Sequence, residues 1–303
     1  MQKPSFDPGL TQQYTAPFKR TINDDGTFNV RRHGSTWRDI HPYLYLVNLS
    51  WPKFIGIIVL AYTVVNVLFA AIYFSLGPGQ LEGIHGKTDG ERFLQMFFFS
   101  SHTLSTVGYG NIAPSGIPGN IVAAFEALAG VLGLAVATGL LFGRVSRPSA
   151  KLGFSDNVLV SPYQEGTSLQ FRLVNRRPNN VMDVEARVML MVVEEVNGVP
   201  KRRFEILKLE RPSVLFLALT WTVVHPIDTD SPLYGKSIED LRKMQAELLV
   251  MIKAFDDTFS QTVYASYSYR HDQFVWDKRF VPAFRVDEGG NLELDLRKIG
   301  EWA

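Results

Sequence analysis

Thr106-Val107-Gly108-Tyr109-Gly110 is the stretch of this chain whose residue types and spacing carry the most specific chemistry. A dehydrated K⁺ must regain its oxygen ligands, and one short strand from each of four chains can supply them through backbone carbonyls. Gly108 and Gly110 allow the positive φ that turns successive carbonyls toward one axis. The Thr106 hydroxyl adds an oxygen ring at one mouth, while Val107 and Tyr109 are expected to turn outward and hold the diameter. Enzymatic chemistry has weaker candidates. His225 with Asp228 and Asp230, or His271 with Asp272, lack a nucleophile and a recognisable metal spacing. The chain has no cysteine, which excludes disulfides, thiolate metal sites and Cys nucleophiles and leaves the redox compartment undecided.

Irregular backbone at membrane depth is tolerated only where it is buried in protein or lines a water-filled path, so such a strand needs helices around it. Charges are nearly absent from Phe54 to Leu81 and again from Ala127 to Gly143. A helix needs ~20 apolar residues to cross the hydrocarbon core, and this predicts an outer span over 53–76 and an inner span over 119–144. Glu126 is the one acid of the inner span, and Gly130, Gly133 and Gly139 are small residues suited to close helix packing. Between the spans, 91–105 reads as a short re-entrant helix that returns through 106–110. Arg144, Arg147 and Lys151 lie at and beyond the end of the inner span while Arg38 and Lys53 lie before and at the start of the outer one, which places both termini in the cytoplasm.

The chain is 303 residues long, enough for a second domain. Its net charge of +1 gives no footprint for nucleic acid. Residues 1–36 contain no apolar core of a signal peptide and read as a mobile or loosely docked arm. Residues 37–48 suit an amphipathic helix along the interface, although Pro42 is tolerated only in its first turn. From about Leu152 onward, runs rich in Val, Phe, Leu and Tyr alternate with Pro, Gly, Asn and Asp clusters, which predicts an antiparallel β-sandwich over 148–303. The strands are expected at Leu169–Val174, Asp183–Val193, Leu215–Val224, Leu248–Phe255, Thr262–Tyr269 and Phe280–Val286. Ser237 and Asp240 form a capping box that opens a helix through about Ala246.

With these residues in place, the chain resembles the inward-rectifier potassium channel family, especially its prokaryotic members. The likeness extends beyond the filter to Ser50-Trp51-Pro52, Phe97-Phe98-Phe99-Ser100, Arg147-Pro148, His225-Pro226-Ile227-Asp228 and Ser231-Pro232-Leu233-Tyr234. It implies a homotetramer in a bacterial inner membrane. An interfacial slide helix over 37–48, a pore domain over 49–147 and an immunoglobulin-like cytoplasmic sandwich would make up each subunit. K⁺ is then the permeant ion, with no cofactor, and Mg²⁺ or polyamines are candidate blockers. A membrane-anchored enzyme and a sensory protein with a non-conducting filter are the competing readings.

The resemblance also assigns residues. Leu134, Thr138 and Phe142 recur every four positions and so share a helix face. By resemblance that face lines the pore, with Phe142 as a gate that dewets and Gly130 as the inner-helix hinge. Leu134 stands where an acid in relatives favours cation block, so weak rectification is expected, and Asp183, Asp256 and Asp257 are the candidate cytoplasmic-pore carboxylates. The segment Lys253 to Thr258 resembles the cytoplasmic constriction, with Lys253 and Ala254 where relatives usually carry Glu and Gly. His102 replaces a frequent pore-helix carboxylate, and with Glu126 it is expected to support the filter and make it pH-sensitive. Arg144, Arg147 and Lys151 are expected to face anionic lipid headgroups, phosphoinositides among them.

Overall fold

The computed structural model describes residues 8–303 apart from 17–18, 35, 37–38, 40, 78 and 147–149. Two compact units divide the chain, one of residues 33–147 and one of residues 1–32 with 148–303.

Among the described residues, the first unit holds four α-helices and a two-stranded ribbon. Helix α1 spans Pro42–Asn48 and α2 spans Trp51–Leu76, each with a proline in its first turn where no intrahelical N–H is needed. Among the residues expected in the slide helix, Trp37, Arg38 and Ile40 lie outside the described residues, and α1 begins only at Pro42. Strand β1 (Leu81–Glu82) pairs antiparallel with β2 (Ala113–Pro114) across the re-entrant segment. Helix α3, Asp89–Leu104, starts two residues before the expected position because Thr88 and Glu91 cap each other's backbone N–H groups reciprocally. Helix α4, Ile117–Val145, continues without a break. Both α2 and α4 are long and apolar enough to cross a membrane, and their own chain covers little of either. Ala70, Tyr73, Leu81, Met96 and Phe99 make the core that seats α3.

The second unit packs two five-stranded sheets face to face. Its strands are β3 (Leu152–Phe154), β4 (Val158–Tyr163), β5 (Gly166–Asn175), β6 (Val181–Val196), β7 (Val199–Ile206), β8 (Ser213–Phe216) and β9 (Thr220–Ile227). Helix α5 (Ile238–Lys243) precedes β10 (Glu247–Asp256), β11 (Gln261–Arg270), β12 (Phe274–Trp276), β13 (Phe284–Val286) and β14 (Leu292–Leu294). One sheet runs β11-β10-β6-β7 with β8 also on β6, and the other runs β12-β4-β5-β3 with β9 also on β5. Alternate residues such as Leu169, Phe171 and Leu173 or Val184, Ala186 and Val188 fill the space between them.

Three expectations change. The run Leu215–Val224 divides, because β8 and β9 belong to different sheets and Leu217 turns into the core between them. Of Phe280–Val286 only Phe284–Val286 is a strand, while Phe280 makes an isolated bridge to Trp302. Residues of the N-terminal arm are docked rather than loose. Ile22 is buried with Met191, Phe204 and Leu249, and Thr21 donates its backbone N–H and hydroxyl to Glu247, both at 2.7 Å.

Candidate ion-conduction site

The filter strand begins where α3 runs out of helical partners. The N–H groups of Thr106, Val107 and Gly108 fold back onto the carbonyls of Thr103 and His102 at 3.0, 2.9 and 3.2 Å. Among the described residues, no hydrogen bond uses a carbonyl of residues 106–110. The sign of φ alternates along the strand, with Thr106 at +61°, Gly108 at +58° and Gly110 at +79° while Val107 and Tyr109 stay negative. Alternation of this kind brings successive carbonyls to one side, the arrangement a row of cation sites requires. Glycine provides two of these positions at no steric cost. Thr106 does not, and a β-branched residue there stores roughly 1–3 kcal/mol of strain.

Of His102 and Glu126, the pair expected behind the filter, only His102 touches it directly. The His102 ring meets the Tyr109 ring edge to face, with centroids 4.7 Å apart. Glu126 does not join them. It is 0% exposed, with Oε2 accepting from Tyr73 Oη at 2.6 Å and Oε1 in hydrogen-bond contact with Ser100 Oγ. Ser100 also lies 3.0 Å from Asn66 Oδ1, so α2, α3 and α4 meet in one polar cluster. Asn66 and Tyr73 carry no sequence assignment and Ser100 stands only within the Phe97-Phe98-Phe99-Ser100 motif, although an amide within an apolar span is itself a signal. Gly130 is the point where α4 passes the end of α3, because a Cβ there would lie 2.1 Å from the Leu104 carbonyl oxygen.

Leu134 and Phe142 are 66% and 71% uncovered by their own chain, and Thr138 lies uncovered between them. One residue on, the Tyr43 hydroxyl occupies the space where a Cβ on Gly143 would stand. Arg144 then reaches α1, where Nη1 donates to Leu46 O and Val47 O at 3.3 and 3.0 Å and Nη2 donates to Leu49 O. Its guanidinium also lies over the rings of Trp51 and Phe54, at 4.6 and 5.1 Å. Arg144 therefore does not present its charge freely to a headgroup, because the orphan carbonyls at the C-terminus of α1 take it up. Arg147 lies outside the described residues, and Lys151 is exposed.

The carboxylates expected to line a cytoplasmic pore separate as well. Asp183 is exposed at φ +48°, where the register of β6 on β10 shifts between Lys253 and Phe255. Lys253 itself lies 3.9 Å from Glu185. Asp257 accepts from Asn180 N and Nδ2 at 3.2 and 2.9 Å. Asp256 is not a lining residue of this chain's surface. It is 2% exposed, and its Oδ1 accepts the N–H groups of Thr258 and Phe259 at the following turn.

The enzymatic candidates are held structurally. His225 is buried, with Nδ1 2.6 Å from Lys208 O and Nε2 2.8 Å from Ser231 Oγ, and burial pushes its pKa down. Among the described residues, no group of three or more His, Asp or Glu could hold a metal ion.

The comparisons agree with this division of the chain. The family model of the ion channel matches residues 54–147, and that of the inward rectifier potassium channel C-terminal domain matches residues 152–302. The inward rectifier potassium channel Kirbac3.1 of Paramagnetospirillum magnetotacticum is 38% identical over 288 residues, covering 94% of this chain and 96% of its own. The chain belongs to the inward rectifier potassium channel family. G protein-activated inward rectifier potassium channel 1 of Homo sapiens is 27% identical over 317 residues, 95% of this chain and 62% of that protein. G protein-activated inward rectifier potassium channel 2 of Homo sapiens is 25% identical over 314 residues, 93% of this chain and 72% of that one. As an inward-rectifier-family protein the chain is a membrane channel subunit and not an enzyme. Two spans followed by a β-rich domain are the architecture of that family.

Proposed function

We propose that four copies of this chain form a K⁺-selective pore, with residues 106–110 of each copy lining one shared axis. The observation that carries this reading is the alternating φ of Thr106 through Gly110, with none of their carbonyls accepting a hydrogen bond among the described residues. A single strand of such carbonyls coordinates an ion from one side only, whereas four strands replace a hydration shell. The uncovered Leu134, Thr138 and Phe142 face supports a cavity and a gate on the same axis. Four Phe142 rings close that path by excluding water, and leucine at position 134 leaves the cavity without an attractive charge for Mg²⁺ or polyamines. Rectification is accordingly weak, with Asp183 and Asp257 the carboxylates left to attract cations on the cytoplasmic side.

Both termini are cytoplasmic in this reading, and the membrane is a bacterial inner membrane. Acidic lipids, phosphoinositides included, act through Lys151 and Arg147 rather than through Arg144. The His102 ring packs edge to face on Tyr109 and supports the filter strand from behind. The deciding experiment is uptake of Rb⁺ into liposomes holding the purified protein. We expect uptake that K⁺ drives and Ba²⁺ blocks, and no uptake in any lipid composition would favour a non-conducting sensor.

A further inference from the structure

The polar cluster behind the filter can be resolved by counting its hydrogens. Asn66, Ser100 and Glu126 are fully enclosed by their own chain, and Tyr73 nearly so, which leaves no room for a lipid or a neighbouring subunit to add a partner. Three oxygen–oxygen contacts join them: Asn66 Oδ1 with Ser100 Oγ, Ser100 Oγ with Glu126 Oε1, and Glu126 Oε2 with Tyr73 Oη. The orientation of Asn66 is fixed because Nδ2 donates to Tyr62 O at 2.7 Å, and this turns Oδ1 toward Ser100. A flipped amide would set two carbonyl oxygens against each other.

Each of the three contacts needs one hydrogen. Ser100 and Tyr73 bring one each, Asn66 Oδ1 brings none, and an ionised carboxylate accepts only. With Glu126 charged, either Asn66 or Glu126 would face a bare oxygen inside the protein. We infer that Glu126 is a neutral carboxylic acid, whose Oε1–H donates to Ser100, whose hydroxyl in turn donates to Asn66, while Tyr73 donates to Oε2. Among the described residues no cation forms an ion pair with Glu126, and a buried unpaired carboxylate is strongly disfavoured. Tyr73 is the titratable group in contact with it. His102 lies two residues beyond Ser100 on α3, but its ring faces Tyr109.

The consequence falls on selectivity. The chain of donors ties α4 to α3 and α3 to α2 at Ser100, two residues before His102, whose carbonyl receives the N–H groups of Val107 and Gly108. Asn66, Ser100, Glu126 and Tyr73 are therefore positioning residues for the filter backbone. This step rests on reading 106–110 as the filter, whereas the protonation of Glu126 does not.

Two measurements on the full chain test the two parts separately. An infrared difference spectrum of wild type minus Glu126→Gln should show the C=O stretch of a protonated carboxylic acid, and Tyr73→Phe should move that band upward by removing its donor. A difference spectrum with carboxylate bands in its place overturns the inference, whether or not the protein conducts. In liposomes Glu126→Gln should keep K⁺ over Na⁺ selectivity, since the amide donates to Ser100 and accepts from Tyr73. Glu126→Ala or Ser100→Ala should lose about tenfold or more by leaving buried groups unpaired. Wild-type selectivity in both of these variants would remove the positioning role, and a protonated band would still stand.

Discussion

The carbonyl oxygen of Leu104 occupies the place where a side chain at position 130 would begin, 2.1 Å from a Cβ built on Gly130. A glycine in the inner helix thus lets α4 lie against the end of the helix that launches the filter. Gly130→Ala is expected to push these elements apart, at a cost of roughly 1–3 kcal/mol or more, since backbone cannot yield as a flexible side chain does. Gly133→Ala meets nothing of its own chain and should be neutral or stabilising by up to about 1 kcal/mol. Thermal melts of the purified protein, followed by Rb⁺ uptake, compare the two. A hinge role alone would slow gating in Gly130→Ala without lowering its melting temperature.

Arg144 separates anchoring from lipid sensing. Its forked guanidinium serves the carbonyls of Leu46, Val47 and Leu49 together, which an ammonium cannot reproduce. Arg144→Lys should therefore lower stability by about 1.5–3 kcal/mol and leave the dependence of flux on anionic lipid nearly unchanged. Lys151→Ala should do the reverse, reducing lipid sensitivity about fivefold for the loss of ~1 kcal/mol of surface attraction. Flux measured against the fraction of anionic lipid decides between them. An equal loss of lipid sensitivity in both variants would return Arg144 to the headgroups.

Neighbouring residues differ in how far the sequence reveals their structure. Gly108 and Gly110 announce their backbone conformation, because glycine is the residue that adopts positive φ freely. Thr106 conceals the same conformation, which the fold around it imposes at +61°. The expected start of α3 fell two residues late, although Thr88 and Glu91 carry a local capping box that marks it. Partners of Glu126 and Arg144 were not legible, because each meets groups far along the chain. Arg144 looks like a topology charge until α1 places three carbonyls beside it. The run Leu215–Val224 has the composition of one strand, and only the pairing of Met182 with Phe216 and of Phe171 with Val223 reveals two sheets. Asp256 and Asp257 are adjacent and chemically alike, yet the turn after β10 encloses one and leaves the other partly open.

Burial of His225 makes the cytoplasmic unit sensitive to acid. Burial pushes its pKa down despite the acceptor at Lys208 O, so the folded state binds its proton more weakly than the unfolded chain does. The unfolded imidazole protonates near pH ~6.5. As pH falls below that value the unfolded state takes up a proton that the folded state refuses, and stability declines by about 1.4 kcal/mol for each unit separating the two pKa values. Above it the contribution is constant. His271, also pushed down by burial, acts in the same sense. Melting temperature recorded from about pH 7.5 to 5 should therefore fall, and fall less steeply in His225→Gln. An identical slope in the variant would mean that other groups carry the acid response.

Leu134 provides the test of which face of α4 lines the pore. It sits two turns before Phe142 with most of its side chain uncovered, and in a tetramer four copies would surround the cavity below the filter. Leu134→Asp would put four carboxylates there, in an environment where each attracts a divalent cation far more strongly than in bulk water. Block of outward current by internal Mg²⁺ should then appear at a concentration at least about tenfold lower than in wild type, equivalent to only 1.4 kcal/mol of added attraction. The uncharged Leu134→Asn should leave block nearly unchanged, which separates charge from size. If Leu134→Asp conducts with wild-type Mg²⁺ sensitivity, position 134 faces lipid or a neighbouring helix. Phe142, which shares its helix face, would then lose its place as the gate.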